Sequence, residues 1–285
     1  MDFLIARLHV DFGLFENNDS KELIVKIFKL LGEKSVIQTI NDIEVLLSKV
    51  DNISDEILFG KFIKVHNKGI NIINKESKKT SKEEVPNAYE ELNFYYHIGY
   101  FLLFIEEKPS YGLDRKKVAK YFSQLLLKGF QDFKDINASN YYIPDVNLSY
   151  IGDKVILTEK IYSFKKIFNA RFVLFPSNPS ERNWAPIDND LKSSQVEKRT
   201  IIDKAKPDGS LDYKKEGTNA HAFITMVEDG YGIAKIKGID KNDEKLTVNS
   251  DDLAERLVVD KNDNKETILE KIIKKAFDIF ERNKK

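Results

Sequence analysis

The sequence predicts an α+β protein of two similar halves, each a mostly antiparallel sheet with helices packed on one face. Three observations predict it. Runs with period-two alternation, which reads as strand, are interleaved with stripes at helical spacing, and the order over the first half is strand, helix, helix, strand, strand, long strand, helix. A similar grammar returns in the second half, without a residue-level repeat. Between Asp132 and Asp153 the patterning weakens around Tyr141, Tyr142 and Pro144, which places a boundary there and gives halves of 1–140 and 141–285. A chain of 285 residues with 41% hydrophobic residues is long enough to bury a core in one large or two modest domains.

Phe3 to Val10 reads as a strand, with Leu4, Ala6, Leu8 and Val10 on one face. Asp19 and Ser20 supply a cap for a helix whose inward positions are Leu23, Ile24, Ile27, Phe28 and Leu31, ended by Gly32. A second helix is expected after Ser35, with Val36, Ile40, Ile43, Leu47 and Val50 inward. Ile57 to Val65 and Gly69 to Ile73 read as two strands. Lys75 to Glu84 has no apolar residue and reads as an exposed loop.

The run from Phe94 to Ile105 reads as one aromatic-rich strand, followed by a charged corner at Glu106, Glu107 and Lys108. Arg115 to Lys128 is an amphipathic helix capped by Asp114 and stopped by Gly129. Further on, helices are expected at Thr158–Phe168, Asn189–Gln195, Thr218–Glu228 and Ile268–Phe280. Strands are expected at Arg171–Phe175, Val196–Ala205, Tyr231–Ile239 and Lys245–Asn249, the last two joined by a hairpin loop at Asp240–Asp243.

Several classes of function are excluded by composition or by missing motifs. Cysteine is absent, so disulfides, thiolate metal sites and cysteine nucleophiles are excluded. The four histidines, His9, His66, His97 and His221, are far apart in sequence, and no zinc site, other metal or cofactor is expected. His97 reads as a hydrogen-bonded structural histidine. No glycine-rich phosphate loop, HExxH or GxSxG is present. The acidic runs at Asp188–Asp190 and Asp240–Glu244 lack the glycine and the distal glutamate of a calcium loop. The N-terminus lacks the pattern of a signal peptide and no run is long enough to span a bilayer, so a cytoplasmic protein with no membrane partner is expected.

Net charge is zero, so a nucleic-acid footprint must be local. One candidate is the lysine-rich stretch carrying Lys61, Lys64, Lys68, Lys75, Lys78, Lys79 and Lys82 against Glu76 alone. Such a stretch either tracks phosphates or protects an edge strand. Trp184, the one tryptophan, either stacks on a base together with Arg182 or anchors a Pro-rich loop. Lys235 and Lys237 share a strand face with Tyr231, as a basic-aromatic platform or as the wet side of a half-buried sheet. The one catalytic alternative is a Mg²⁺-dependent nuclease. Glu106-x-Lys108 at a strand end is a pattern that binds a cation and stabilises developing charge, with Glu90 or Glu91 as the second acidic ligand. The other reading of that tripeptide is a charged turn before Pro109.

A resemblance rests on four features of the second half. They are a strand ending in Phe175-Pro176-Ser177-Asn178-Pro179 before Trp184, the turn Asp208-Gly209-Ser210-Leu211, a helix ending in Glu228-Asp229-Gly230-Tyr231-Gly232, and Lys235-Ile236-Lys237-Gly238 leading into a hairpin. Over residues 172–249 the chain resembles uncharacterised bacterial proteins of prophages, mobile elements and anti-phage defence loci. More distantly, its layout is similar to that of the Rex exclusion protein A and the B subunit of Kiwa-type systems. The resemblance implies sequence-independent DNA binding, as a homo-oligomer, and carries no catalytic residue.

Together these readings give a non-enzymatic nucleic-acid-binding or sensing component of a defence or mobile-element system. Lys61, Lys64, Lys68, Lys78, Lys79, Lys82, Arg171, Arg182, Lys235 and Lys237 are the candidate phosphate contacts. Beside it stand the nuclease of Glu91, Glu106 and Lys108, and an interaction subunit that binds a protein encoded next to it.

Overall fold

The computed structural model describes residues 1–12, 20–33, 38–40, 43–73, 80–108, 112–137, 143–177, 186–215 and 218–282, with backbone alone at 38–40, 66–73, 80–88 and 135–137. The elements in chain order are β1 (Asp2–Asp11), α1 (Ser20–Glu33), β2 (Gln38–Ile40), β3 (Ile43–Asn52), β4 (Ile57–Ile73), β5 (Thr80–His97), β6 (Leu102–Glu106), α2 (Arg115–Asn137) and β7 (Asp145–Tyr150). They continue with α3 (Lys154–Ser163), β8 (Phe164–Leu174), α4 (Pro186–Ser193), β9 (Arg199–Lys204), α5 (Asn219–Glu228), β10 (Gly232–Asp240), β11 (Lys245–Asn249), a 3₁₀ turn (Ser250–Leu253), β12 (Arg256–Val258) and α6 (Lys265–Glu281).

The class is α+β with two antiparallel sheets, as the sequence predicts. The larger has the order β12-β1-β6-β5-β4-β3-β2, with β7 also on β1, and the smaller β11-β10-β8-β9. β1 is gripped on both edges: residues 3–7 pair with β6, residues 2–4 with β12 and residues 6–11 with β7. Both β7 and β12 lie beyond residue 140, and the Met1 ammonium donates to the Val259 carbonyl at 2.7 Å.

One face of the large sheet buries Leu4, Leu8, Phe62, Phe94, Tyr96 and Leu103 against Ile27 and Phe28 of α1 and Phe122 and Leu125 of α2. Its other face buries Phe3, Ile5, Tyr95 and Phe104 against Ile268, Ile272, Ala276 and Ile279 of α6. The small sheet buries Phe172, Leu174, Ala234, Ile236 and Val248 under α3, α4 and α5. Asp114 caps α2 by accepting from Lys117 N at 2.8 Å, Asp153 caps α3 and Thr218 caps α5.

Five expectations are corrected. The helix expected to stop at Gly129 runs through it to Asn137 as α2, and the glycine serves packing, since a Cβ there would come within 2.8 Å of Ile27 on α1. The helix expected after Ser35 is instead β2 and β3. Val45, Leu47 and Val50 face inward, and a register shift between Ser48 and Asp51, with Lys49 at φ 54°, supplies the extra residue that made the spacing look helical. The helix expected at Thr158–Phe168 ends at Ser163, and β8 begins at Phe164. Phe164, Ile167 and Ala170 are three apart yet all inward, because β8 has two register shifts against β10. The aromatic run 94–105 is a hairpin, β5 turning through residues 98–101 into β6, where Phe101 takes φ 56°. The strands expected at 57–65 and 69–73 are one, β4, paired along its length with β5, which begins at Thr80 inside the expected loop. Residues 74–79 of that loop lie outside the described residues.

The two sheets meet at a buried polar joint. Arg7 on β1 donates from Nε to the Asp229 carbonyl at 2.8 Å and from Nη1 to the Tyr100 carbonyl at 3.2 Å, and its guanidinium sits 4.6 Å from the Tyr231 ring centre. His9 Nε2 donates to the Gly230 carbonyl at 2.7 Å, and Ser149 of β7 donates to the same oxygen. Gly230 takes φ 78°, and a Cβ there would come within 2.8 Å of Ile151. These contacts fix the turn that feeds β10, and so fix the small sheet on the large one.

Candidate nucleic-acid interface

The candidate cations divide. In the large sheet the two whose side chains are described, Lys61 and Lys64, face carboxylates. Lys64 pairs with Glu90, directly opposite on β5, at 2.7 Å, and is 7% exposed. Lys61 is ion-paired with Glu91. These are opposite-charge cross-strand pairs of the kind that stabilise a sheet. Backbone pairing places Lys68 on β4 opposite Val85, and Lys82 on β5 opposite Asn71. The side chains of Lys68 and Lys82, and residues Lys78, Lys79, Arg182 and Trp184 entirely, lie outside the described residues.

Of the proposed nuclease residues, Glu106 and Lys108 come together, while Glu91 meets them through its backbone and its carboxylate pairs with Lys61. Lys108 lies 3.2 Å from the Glu106 carboxylate and donates to the Glu91 carbonyl at 3.0 Å. The Glu106 carboxylate also accepts from Asn93 N at 2.9 Å and from Asn93 Nδ2 at 2.7 Å. The buried Glu106 carboxylate thus has three donors from the chain itself. Among the described residues no group of three His, Asp or Glu is placed to hold a metal ion.

The small sheet behaves differently. Its inner positions are apolar and its outward ones form cross-strand rows. One row reads Asn249, Lys235, Arg171, Ile202, and the next Thr247, Lys237, Asn169, Lys204. Arg171, Lys204, Lys235 and Lys237 are all exposed, and none makes an ion pair among the described residues. No carboxylate stands in either row, because Asp203 turns inward to accept from Tyr213 Oη at 2.6 Å. Lys235 is directly opposite Arg171. Like charges so placed repel, and strands lie only about 4.8 Å apart.

Three of the predicted residues, Arg171, Lys235 and Lys237, are therefore brought into one patch. Tyr231 is not the aromatic of that patch: it precedes β10, is 1% exposed and packs on Arg7 and His9. The aromatic is Phe168, which sits beside Asn169 at the bulge and is 43% exposed, with Ile202 57% exposed. Sequence reasoning missed Lys204 and Phe168. The alternation Thr200, Ile202, Lys204 carried a signal for the first, while the helix assigned through Phe168 concealed the second.

Fold and site together define an α+β protein whose smaller antiparallel sheet turns an unbalanced basic face to solvent. The chain belongs to the family described as a domain of unknown function, DUF4747, whose model matches residues 15–277. No curated protein matches it. No described helix is long and apolar enough to cross a membrane.

Proposed function

We propose that this protein is a non-enzymatic nucleic-acid-binding component that grips the phosphate backbone, of DNA in the first place, on the outer face of its small sheet. The observation that carries this reading is the like-charge row. A sheet that sets Lys235 against Arg171, beside Lys237 and Lys204 and without a carboxylate, gives up local stability that an anionic partner restores. In the large sheet the same chain matches Lys64 and Lys61 with Glu90 and Glu91. The contacts run to phosphates and carry no base code, in keeping with sequence-independent binding. The setting in a defence or mobile-element system comes from the resemblance over residues 172–249.

The test is a gel shift at low salt with the protein and its Arg171→Glu/Lys235→Glu/Lys237→Glu variant. The parent should bind and the variant should lose at least tenfold in affinity, while Lys61→Glu, whose charge is already matched by Glu91, should cost less. Absence of binding to DNA and RNA by the parent sinks the reading.

A further inference from the structure

The basic face has a definite width, an apolar centre and a neighbouring cleft. Four strands at about 4.8 Å spacing span about 14 Å before side chains are added. The major groove of B-form DNA is about 12 Å wide and admits a helix or a two-stranded ribbon. A duplex can therefore meet this face only through its backbone. Phe168 and Ile202, exposed among Arg171, Lys204 and Lys237, offer apolar surface that a duplex, with its bases stacked inside, does not use.

The face also leads somewhere. Along β10 the outward positions run Lys237, Lys235, Ile233, and the row of Ile233 continues through Val173 to Thr200. Ile233 and Phe175 line a cleft of about 490 Å³ together with Lys120 and Gln124 of α2, residues 146–148 of β7, Lys198 and, as its one carboxylate, Asp251, which Lys116 pairs at 3.7 Å. Lys120 is exposed and without an ion pair among the described residues. The volume lies in the range that takes a ligand of nucleotide size.

Resting on the nucleic-acid reading above, we infer that the ligand is a single strand. It lies along β8 and β10 with a base stacked on Phe168 and its phosphates on Lys237, Lys204, Arg171 and Lys235, and its continuation enters the cleft beside Lys120. Stacking on an aromatic between cations is tolerant of sequence, since every base has a face. A protein partner with an acidic strand is the competing occupant. It has less to gain from Phe168, and it would leave every nucleic-acid probe unbound.

The experiment is fluorescence anisotropy at low salt with a labelled oligothymidylate of about 16 nucleotides and a mixed-sequence duplex of the same length. The expected result is tighter binding of the single strand. Phe168→Ala and Phe168→Leu should each weaken it about tenfold and leave the duplex unaffected, and Lys120→Glu should weaken it several-fold. Phe168→Leu keeps the apolar bulk, so its loss reports stacking and not folding, and far-UV circular dichroism of each variant shows whether the sheet is intact. Equal affinity for both probes, with both Phe168 variants unchanged, overturns the single-strand inference and leaves the backbone reading standing. No binding of either probe removes both.

Discussion

Asp229 shows what a single position does in this fold. Burial pushes its carboxyl up to about 7, against a smaller opposing pull from Arg7, while Arg282, Glu228 and Lys154 act more weakly. Between about pH 4 and 7 the folded chain thus holds a proton that the unfolded chain has released. That contribution to stability is full below about pH 4 and is lost as pH rises through 7. Asp229→Asn removes it. The variant should gain on the parent by on the order of 3 kcal/mol at pH 8, with the two converging toward pH 4, as read by urea unfolding at a series of pH values. His9 acts in the opposite sense. Burial pushes it down to about 3, so its share of stability is lost as pH falls below about 6.5. Lys235 supplies a second prediction at this scale. Lys235→Thr removes a like-charge pair with Arg171 and places a β-branched residue on the strand, so stability should rise by a few tenths of a kcal/mol while nucleic-acid affinity falls. A loss of both would mean that Lys235 has a structural role.

Among the elements, β8 decides most. Its two bulges keep Phe164, Ile167 and Ala170 on the inner face at three-residue spacing, and they bring Phe168 out beside Asn169. A window of sequence cannot distinguish that spacing from a helix, because the distinguishing fact is the partner strand. The same ambiguity hid β3, where the irregularity at residues 48–51 shifts Val50 back into line with Val45 and Leu47. The bulge in β8 depends on Gly238 opposite it. A Cβ at 238 would collide with the carbonyl oxygen of Lys166 and come within 2.8 Å of Phe164 Cδ1. Gly238→Ala should destabilise by about 2 kcal/mol or more, seen as a lower urea midpoint, and should weaken binding by disturbing Phe168. Several elements without a bulge were legible. α1, α2 and α5 follow their stripes, α2 also its Asp114 cap, and β10 and β11 follow their alternation and the Asp240 hairpin, in which the Asp240 carboxylate accepts from Asn242 N and Glu244 N at 2.8 and 2.9 Å.

For the whole molecule, the central fact is where charge is balanced and where it is not. Net charge is zero, so the proposed binding has to draw on a local face, and its salt dependence would count the cations on that face. Four phosphate contacts predict that log K falls with log salt at a slope of about −3 for a single strand. The Arg171/Lys235/Lys237 charge-reversal variant should flatten it to between about −1 and zero. A steep slope retained in that variant would move the interface elsewhere. The joint of Arg7, His9, Ser149 and Gly230 holds this face in place against the large sheet.

The sequence by itself determined the α+β class, the stripes of α1, α2, α5 and α6, the Asp114 cap, and three of the four cations on the basic face. Those features follow from local periodicity and capping chemistry, which act within a few residues. Only the tertiary structure decided which lysines are matched by a carboxylate and which are not, since Lys64 meets Glu90, and Lys235 meets Arg171, through strand register between residues far apart in the chain. It also decided that β7 and β12 close on β1, and that an extra residue in β8 exposes Phe168. Each is a consequence of pairing between strands, which no stretch of sequence carries alone.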